Sequence, residues 1–162
     1  MSFKSFLTKV GEDFTKALEL HPTSAVQAYR GWTHLVVDAP KLALRDFKLA
    51  IELDSKSGDA YNGRGFVLAS LGRHREAIQD AAEALRAGPT SARLLYNAAR
   101  IYAQCPGPYR QRAMELIQQA LSLLPAEERR AFWSKHMRTD AALASLRRHP
   151  LFVKLDAEFR GK

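Results

Sequence analysis

The groups in this chain that could do chemistry include five histidines, one cysteine and seventeen carboxylates. Their spacing assembles none of the usual catalytic sets. The histidines, at 21, 34, 74, 136 and 149, share no ligand interval with one another or with Cys105, so no metal and no cofactor is expected. Cys105 stands before a Pro-Gly-Pro turn with Arg100 and Arg110 near it in sequence. A reactive thiolate needs such a setting, but a structural cysteine at a helix end is the commoner case. Gly63 and Gly65 make no phosphate loop, because no strand precedes them and no lysine follows at the required interval. Paired carboxylates are expected only on helix surfaces, and the chain reads as no enzyme. One arrangement does carry a physical argument. Arg30 and Arg64 are each followed after sixteen residues by an aspartate, Asp46 and Asp80.

That interval repeats because the chain repeats. Gly31, Gly65 and Ala99 lie 34 residues apart, each inside an apolar helical segment. Ala43 and Ala77 keep the same interval, as do Ala50 and Ala84, and their third counterparts Ala113 and Ala120 come at 36. The two extra residues fall in Pro106-Gly107-Pro108, a turn that absorbs an insertion without disturbing either flanking helix. A fixed period near 34 is the mark of stacked helical hairpins, and small residues at recurring points let neighbouring helices approach closely. Asn62-Gly63 is a hairpin-turn signal in isolation, but the register places it inside a helix, at a small glycine cost. In the third copy the places of the arginine and aspartate hold Ala98 and Leu116, so both charges vanish together. The joint change predicts an ion pair fastening the two helices of each hairpin. Asp13 competes as acceptor for Arg30, and Asp46 for Arg64, if the pairing runs between neighbouring hairpins.

On these residues the chain resembles the tetratricopeptide-repeat proteins, with repeats at 24–57, 58–91 and 92–125. The central repeat matches best, at Tyr61, Gly65, Leu68, Ala77, Ala84 and Pro89; the first matches at Gly31, Ala43, Phe47 and Ala50, with Ser55 for the usual proline. The resemblance implies an all-α, right-handed helical-hairpin solenoid forming a single domain over 1–162. Residues 1–23 supply the second helix of a half-repeat, with Phe3, Phe6 and Leu7 available to cover its edge, and they suggest a piece cut from a longer array. Residues 126–162 are expected as capping helices. There Phe132, Trp133 and Met137 form an apolar stripe, Thr139-Asp140 caps a short helix, and Pro150 opens a last one. The string from Asp140 to Phe152 resembles tails that close many bacterial arrays of this kind, and a solenoid end needs such a cap.

By the same resemblance, a stripe on the first helix of each repeat lines a concave, partner-binding groove. It comprises Ala28, Trp32 and Leu35 with Val36, then Asn62 and Phe66, then Tyr96 and Arg100, with Ala25, Asp59 and Arg93 alongside. Aromatics at one end offer contact area and arginines at the other offer bidentate binding of a carboxylate. The family's chaperone-binding branch uses a clamp of lysine, asparagine and arginine. This chain does not keep it, since Ala28, Trp32 and Phe66 occupy its places. The competing account of Trp32 and Phe66 is packing under the preceding half-repeat or under Phe3 and Phe6, if the N-terminal segment folds back into the groove. His34 falls where the family has a core aromatic, which implies a packed histidine.

The expected role is thus a non-catalytic scaffold for a protein or peptide partner, one with an acidic group, and not a small-molecule substrate. The alternative is RNA binding. The net charge of +8 lies mostly in the C-terminal half, where Arg129, Arg130, Arg147 and Arg148 could meet phosphates and Trp133 or Tyr109 stack on bases. Self-association through an uncapped N-terminal edge is a third reading. With 46% hydrophobic and 26% charged residues the composition is that of a folded soluble domain. No apolar run reaches membrane-spanning length, and a single cysteine makes a reducing, cytoplasmic setting the default.

Overall fold

In the computed structural model, which describes residues 3–160 and their side chains from Ser5 onward, the chain is all-helical, with no strand among the described residues. It forms two compact units, residues 1–89 and 90–162.

The first unit is a lone helix followed by two hairpins. Helix α1 runs Phe3–Leu20, α2 Ser24–Val36, α3 Pro40–Leu53, α4 Gly58–Ser70 and α5 His74–Ala87. Helix α2 pairs with α3, and α4 with α5. The starts are set locally. The Thr23 and Ser57 hydroxyls accept from the amides of Val26 and Ala60, satisfying N–H groups that a helix end leaves unpaired. Pro40 sits in the first turn of α3, where a missing N–H costs nothing. The hairpin turns are built alike. Asp38 (φ 60°) and Gly72 (φ 75°), 34 residues apart, both adopt the left-handed conformation. Behind them, Ala39 N donates to His34 O (2.8 Å) and Arg73 N donates to Leu68 O (2.9 Å). Glycine takes that conformation freely, and aspartate is among the residues that tolerate it.

The core of this unit gathers around Phe47 on α3. Its ring is fully buried with Ala28, Ala43, Ala50, Ala60 and Val67. Two glycines make room for it: a Cβ on Gly31 would stand 2.8 Å from the ring, and one on Gly63 only 2.1 Å. The glycine of Asn62-Gly63 therefore lies inside α4, where its missing side chain is required. Residues 3–10 are continuous with the half-repeat helix, so that α1 is one helix from Phe3 to Leu20. Phe6 on it is 53% exposed, so it does not cover the edge, and the side chain of Phe3 lies outside the described residues.

The second unit opens with α6 (Ala92–Gln104), capped by Ser91, and α7 (Tyr109–Ser122). Ala113 and Ala120 are fully buried, and Gly107 (φ 103°) turns the chain at the inserted loop. Helix α8 (Ala126–Phe132) then widens into a π-helical turn, Trp133–Met137, closed by Arg138 N donating to Trp133 O. A 3-10 helix, Ala141–Leu146, and α9 (Pro150–Arg160) complete the unit. Trp133, Met137, Leu143 and Leu146 in this segment are fully buried.

Candidate functional site

The charged residues singled out by spacing meet inside each hairpin of the first unit. Arg30 on α2 reaches Asp46 on α3 through two parallel bonds, Nη2 to Oδ1 at 2.7 Å and Nε to Oδ2 at 2.9 Å. Arg64 on α4 does the same with Asp80 on α5, at 2.7 and 2.8 Å. Both pairings run within a hairpin, so neither Asp13 nor Asp46 serves as the between-hairpin acceptor. Asp46 is buried and also accepts from Gln27 Nε2 at 2.8 Å, while Arg30 Nη1 donates to Thr15 on α1. The hydrogen bond to Asp46 raises the Arg30 pKa, against the burial that lowers it. His34 Nε2 lies 3.4 Å from the same carboxylate. Burial holds its pKa below the usual histidine value, Asp46 pulls it back up and Arg30 pushes it down. These groups hold helices together, since their donors and acceptors are turned on one another.

The stripe assigned to a groove divides. In the first unit Ala28 and Asn62 are buried and present nothing to a partner, whereas Trp32, Leu35 and Phe66 remain partly exposed. Trp32 packs edge-on against Phe47 with ring centres 5.3 Å apart, and leans toward Phe66 at 6.2 Å. Its floor is thus the fully buried ring that Gly31 and Gly63 admit. Half-buried aromatics on a rigid base are the residues that anchor partners in well-packed interfaces.

In the second unit the chain itself occupies the stripe. Tyr96 packs edge-on against Phe132 at 5.8 Å, and its hydroxyl lies within hydrogen-bonding distance of the His136 carbonyl and the Asp140 carboxylate. Burial and the bond to Asp140 push the phenol pKa well up. Arg100 Nε stands 2.7 Å from Asp140 Oδ2, and Ser145 Oγ donates to Ala103 O. The acidic group expected near Arg100 is therefore supplied in cis, and Tyr96 and Arg100 leave the set of partner-facing residues. Arg93, in the first turn of α6, is exposed. The sequence marks Asp140 as a helix cap, and its Oδ1 does accept from Ala142 N. Nothing in the sequence signals its partners forty and forty-four residues upstream.

Of the two rings expected to stack on bases, Tyr109 is partly exposed and Trp133 is closed off. Trp133 is 1% exposed, with its indole N–H donating to Asp156, so it offers no face to a nucleobase. Cys105 is buried, which pushes its thiol pKa up and keeps it protonated. Among the described residues no three His, Cys, Asp or Glu side chains come together as a metal site. No helix among them is long and apolar enough to cross a membrane.

Solved structures share this architecture. A crystal structure of MamA aligns over 98% of this chain and 96% of its own, with 18% identity and a TM-score of 0.59. YrrB, described as a TPR protein with an unusual peptide-binding site, aligns over 82% of this chain and 68% of its own, with 26% identity and a TM-score of 0.56. In sequence, the chain is 41% identical over 70 residues to the TPR repeat-containing thioredoxin TDX of Arabidopsis thaliana. It is 36% identical over 70 residues to a FAM10 family protein of the same plant. Those stretches cover 43% of this chain but only 18% and 16% of the two plant proteins. No family model matches the chain.

Proposed function

We propose that this tetratricopeptide-repeat array is a non-catalytic scaffold that holds a partner protein segment, with the Trp32–Phe66 ledge of the first unit as its apolar anchor. The observation that carries the reading is the ledge itself. Trp32 and Phe66 stay partly exposed while the residues beneath them are fully buried. An aromatic so seated loses little side-chain freedom when a partner covers it, which keeps the cost of association low. A peptide-binding site in a structural neighbour of the same fold supports the class of ligand. Catalysis is disfavoured by the chemistry present. The one thiol is buried and protonated, and a thioredoxin-type dithiol needs two cysteines where this sequence has one. An acidic group on a partner is a separate part of the proposal and rests on Arg93, exposed in the first turn of α6 in the second unit.

The test is capture from native lysate with wild-type protein, Trp32→Ala and Arg93→Glu, each checked for unchanged helicity. Trp32→Ala is expected to weaken retention of the captured partner at least about tenfold, the scale of one anchoring aromatic. Arg93→Glu is expected to weaken, in a salt-dependent way, capture of a partner that the second unit holds through an acidic group. An identical captured set from wild type and Trp32→Ala would overturn the reading.

A further inference from the structure

A cavity in the second unit, with no residue of the α6 stripe in its lining, lies in the C-terminal segment. It has a volume of about 730 Å³, and its lining includes Arg138, Arg147 and Arg160 around a single carboxylate, Asp156. Phe152 forms part of its wall as a buried ring, and Val153, 53% exposed, stands beside it. Three elements bring these groups together. The π-helical turn buries Trp133 and Met137 and delivers Arg138 immediately after it. Arg147 follows the 3-10 helix, and α9 contributes Phe152, Val153, Asp156 and Arg160. A π-helical turn of this kind is frequent beside functional sites.

Asp156 does not neutralise this lining. Its Oδ2 is held by Arg160 Nη2 at 2.6 Å and its Oδ1 accepts from Trp133 Nε1 at 3.1 Å. Arg138 Nε reaches Oδ1 only at 3.7 Å, and the bond found for Arg147 is a long one, 3.4 Å, to the Asp140 backbone carbonyl. Three guanidinium groups against one carboxylate leave the lining with two positive charges uncompensated. The volume is far more than a lone inorganic anion fills and lies in the range of ligand pockets. The wall is partly apolar, which a small anion would not use.

We infer that this cavity binds an acidic peptide segment, one carrying two carboxylates with an aliphatic side chain between them. The carboxylates engage Arg138 and Arg147, and the aliphatic group covers Phe152 and Val153. Arginine suits this task because its planar fork meets a carboxylate with two parallel bonds. The site does not draw on the Trp32–Phe66 ledge and stands or falls without it.

The 162-residue chain is titrated into a fluorescein-labelled six-residue peptide of alternating glutamate and leucine, with binding read by anisotropy. A saturable rise is expected, weakened by added salt. The peptide with glutamine for glutamate should bind at least about tenfold more weakly, and so should the Arg147→Glu variant. Arg147→Gln, which adds no negative charge, keeps the test valid if Arg147→Glu fails to fold, and is expected to weaken binding several-fold. Trp32→Ala should leave this titration unchanged, which separates failure here from failure of the ledge. The inference is overturned by any of four results. These are no saturable rise, equal binding of the glutamine peptide, full binding by both Arg147 variants, or displacement by inorganic phosphate or an RNA oligonucleotide as effective as by unlabelled peptide.

Discussion

At the scale of single residues, the chain spends its buried charge on fastening hairpins. Asp80 is 4% exposed and its carboxylate is met by both arms of the Arg64 guanidinium. Taking away the arginine leaves a carboxylate where water reaches poorly, and that loss, more than the worth of the pair itself, sets the penalty. Arg64→Ala is therefore expected to destabilise the protein by about 2–3 kcal/mol, less than a fully buried pair because part of Arg64 faces solvent. Arg73 makes an equally short bond to Glu76, but both side chains are about half exposed. Arg73→Ala should leave the denaturant midpoint unchanged. Equal shifts in the two variants would contradict the distinction. The paired arginine and aspartate were legible in sequence because both disappear in the third repeat, where Ala98 and Leu116 are fully buried. Gln27 as a third donor to Asp46 was not legible, since a lone glutamine on a helix carries no pairing signal.

At the scale of the helices, identical substitutions should have opposite signs. Gly63 lies against the Phe47 ring, and a methyl group there would sit 2.1 Å from a ring atom that is itself fully enclosed. Gly63→Ala is expected to cost about 1–3 kcal/mol through overpacking, even after the gain in helix propensity. Gly11 on α1 has nothing within 4 Å of its would-be Cβ, so Gly11→Ala should stabilise by roughly 0.5–1 kcal/mol. Thermal melts of the two variants check the signs directly. The register located Gly63 on a helix. It could not say that this glycine faced a neighbour, because that depends on where Phe47 of a different helix points. The same applies to the stripe on α6. Helical spacing put Tyr96 and Arg100 on one face correctly, and only the fold of residues 132–145 shows that the chain covers that face itself.

For the molecule taken whole, acid should weaken the fold in two stages. His34 and His136 both have pKa values held below normal, by burial in each case, with Lys135 adding to the effect at His136. A base whose pKa is lowered on folding is harder to protonate in the native state, so the unfolded chain takes up more protons. The stability is full above about pH 6.5, the unfolded value, and falls as the pH drops through the depressed native values. Asp156 is displaced in the same direction, below the usual carboxylate value. Burial works against the shift, and bonds from Trp133 and Arg160 hold the pKa down. Its contribution is present above about pH 4 and lost below it. Melting temperature followed from neutral pH downward should show the first decline between pH 7 and about 5.5, and His34→Gln should flatten it. An unchanged melting temperature over that interval would show that the histidines are equally basic in both states.

By itself the sequence determined the repeat. Small residues at a fixed interval, capping hydroxyls and turn residues act over one or two helical turns, and their periodicity survives without knowledge of any neighbour. That was enough to assign the all-α architecture, to align Arg30 with Asp46 and Arg64 with Asp80, and to place Trp32 and Phe66 on one stripe. Tertiary structure decided which members of the stripe stay open. Ala28 and Asn62 are closed into the core, Tyr96 and Arg100 are taken by Phe132 and Asp140, and Trp32 with Phe66 remains partly exposed. It also gathered Arg138, Arg147 and Arg160 from three separate segments around Asp156. Exposure and long-range pairing are properties of what lies across from a residue, and a chain without a repeat partner for its last segment gives no register from which to read them.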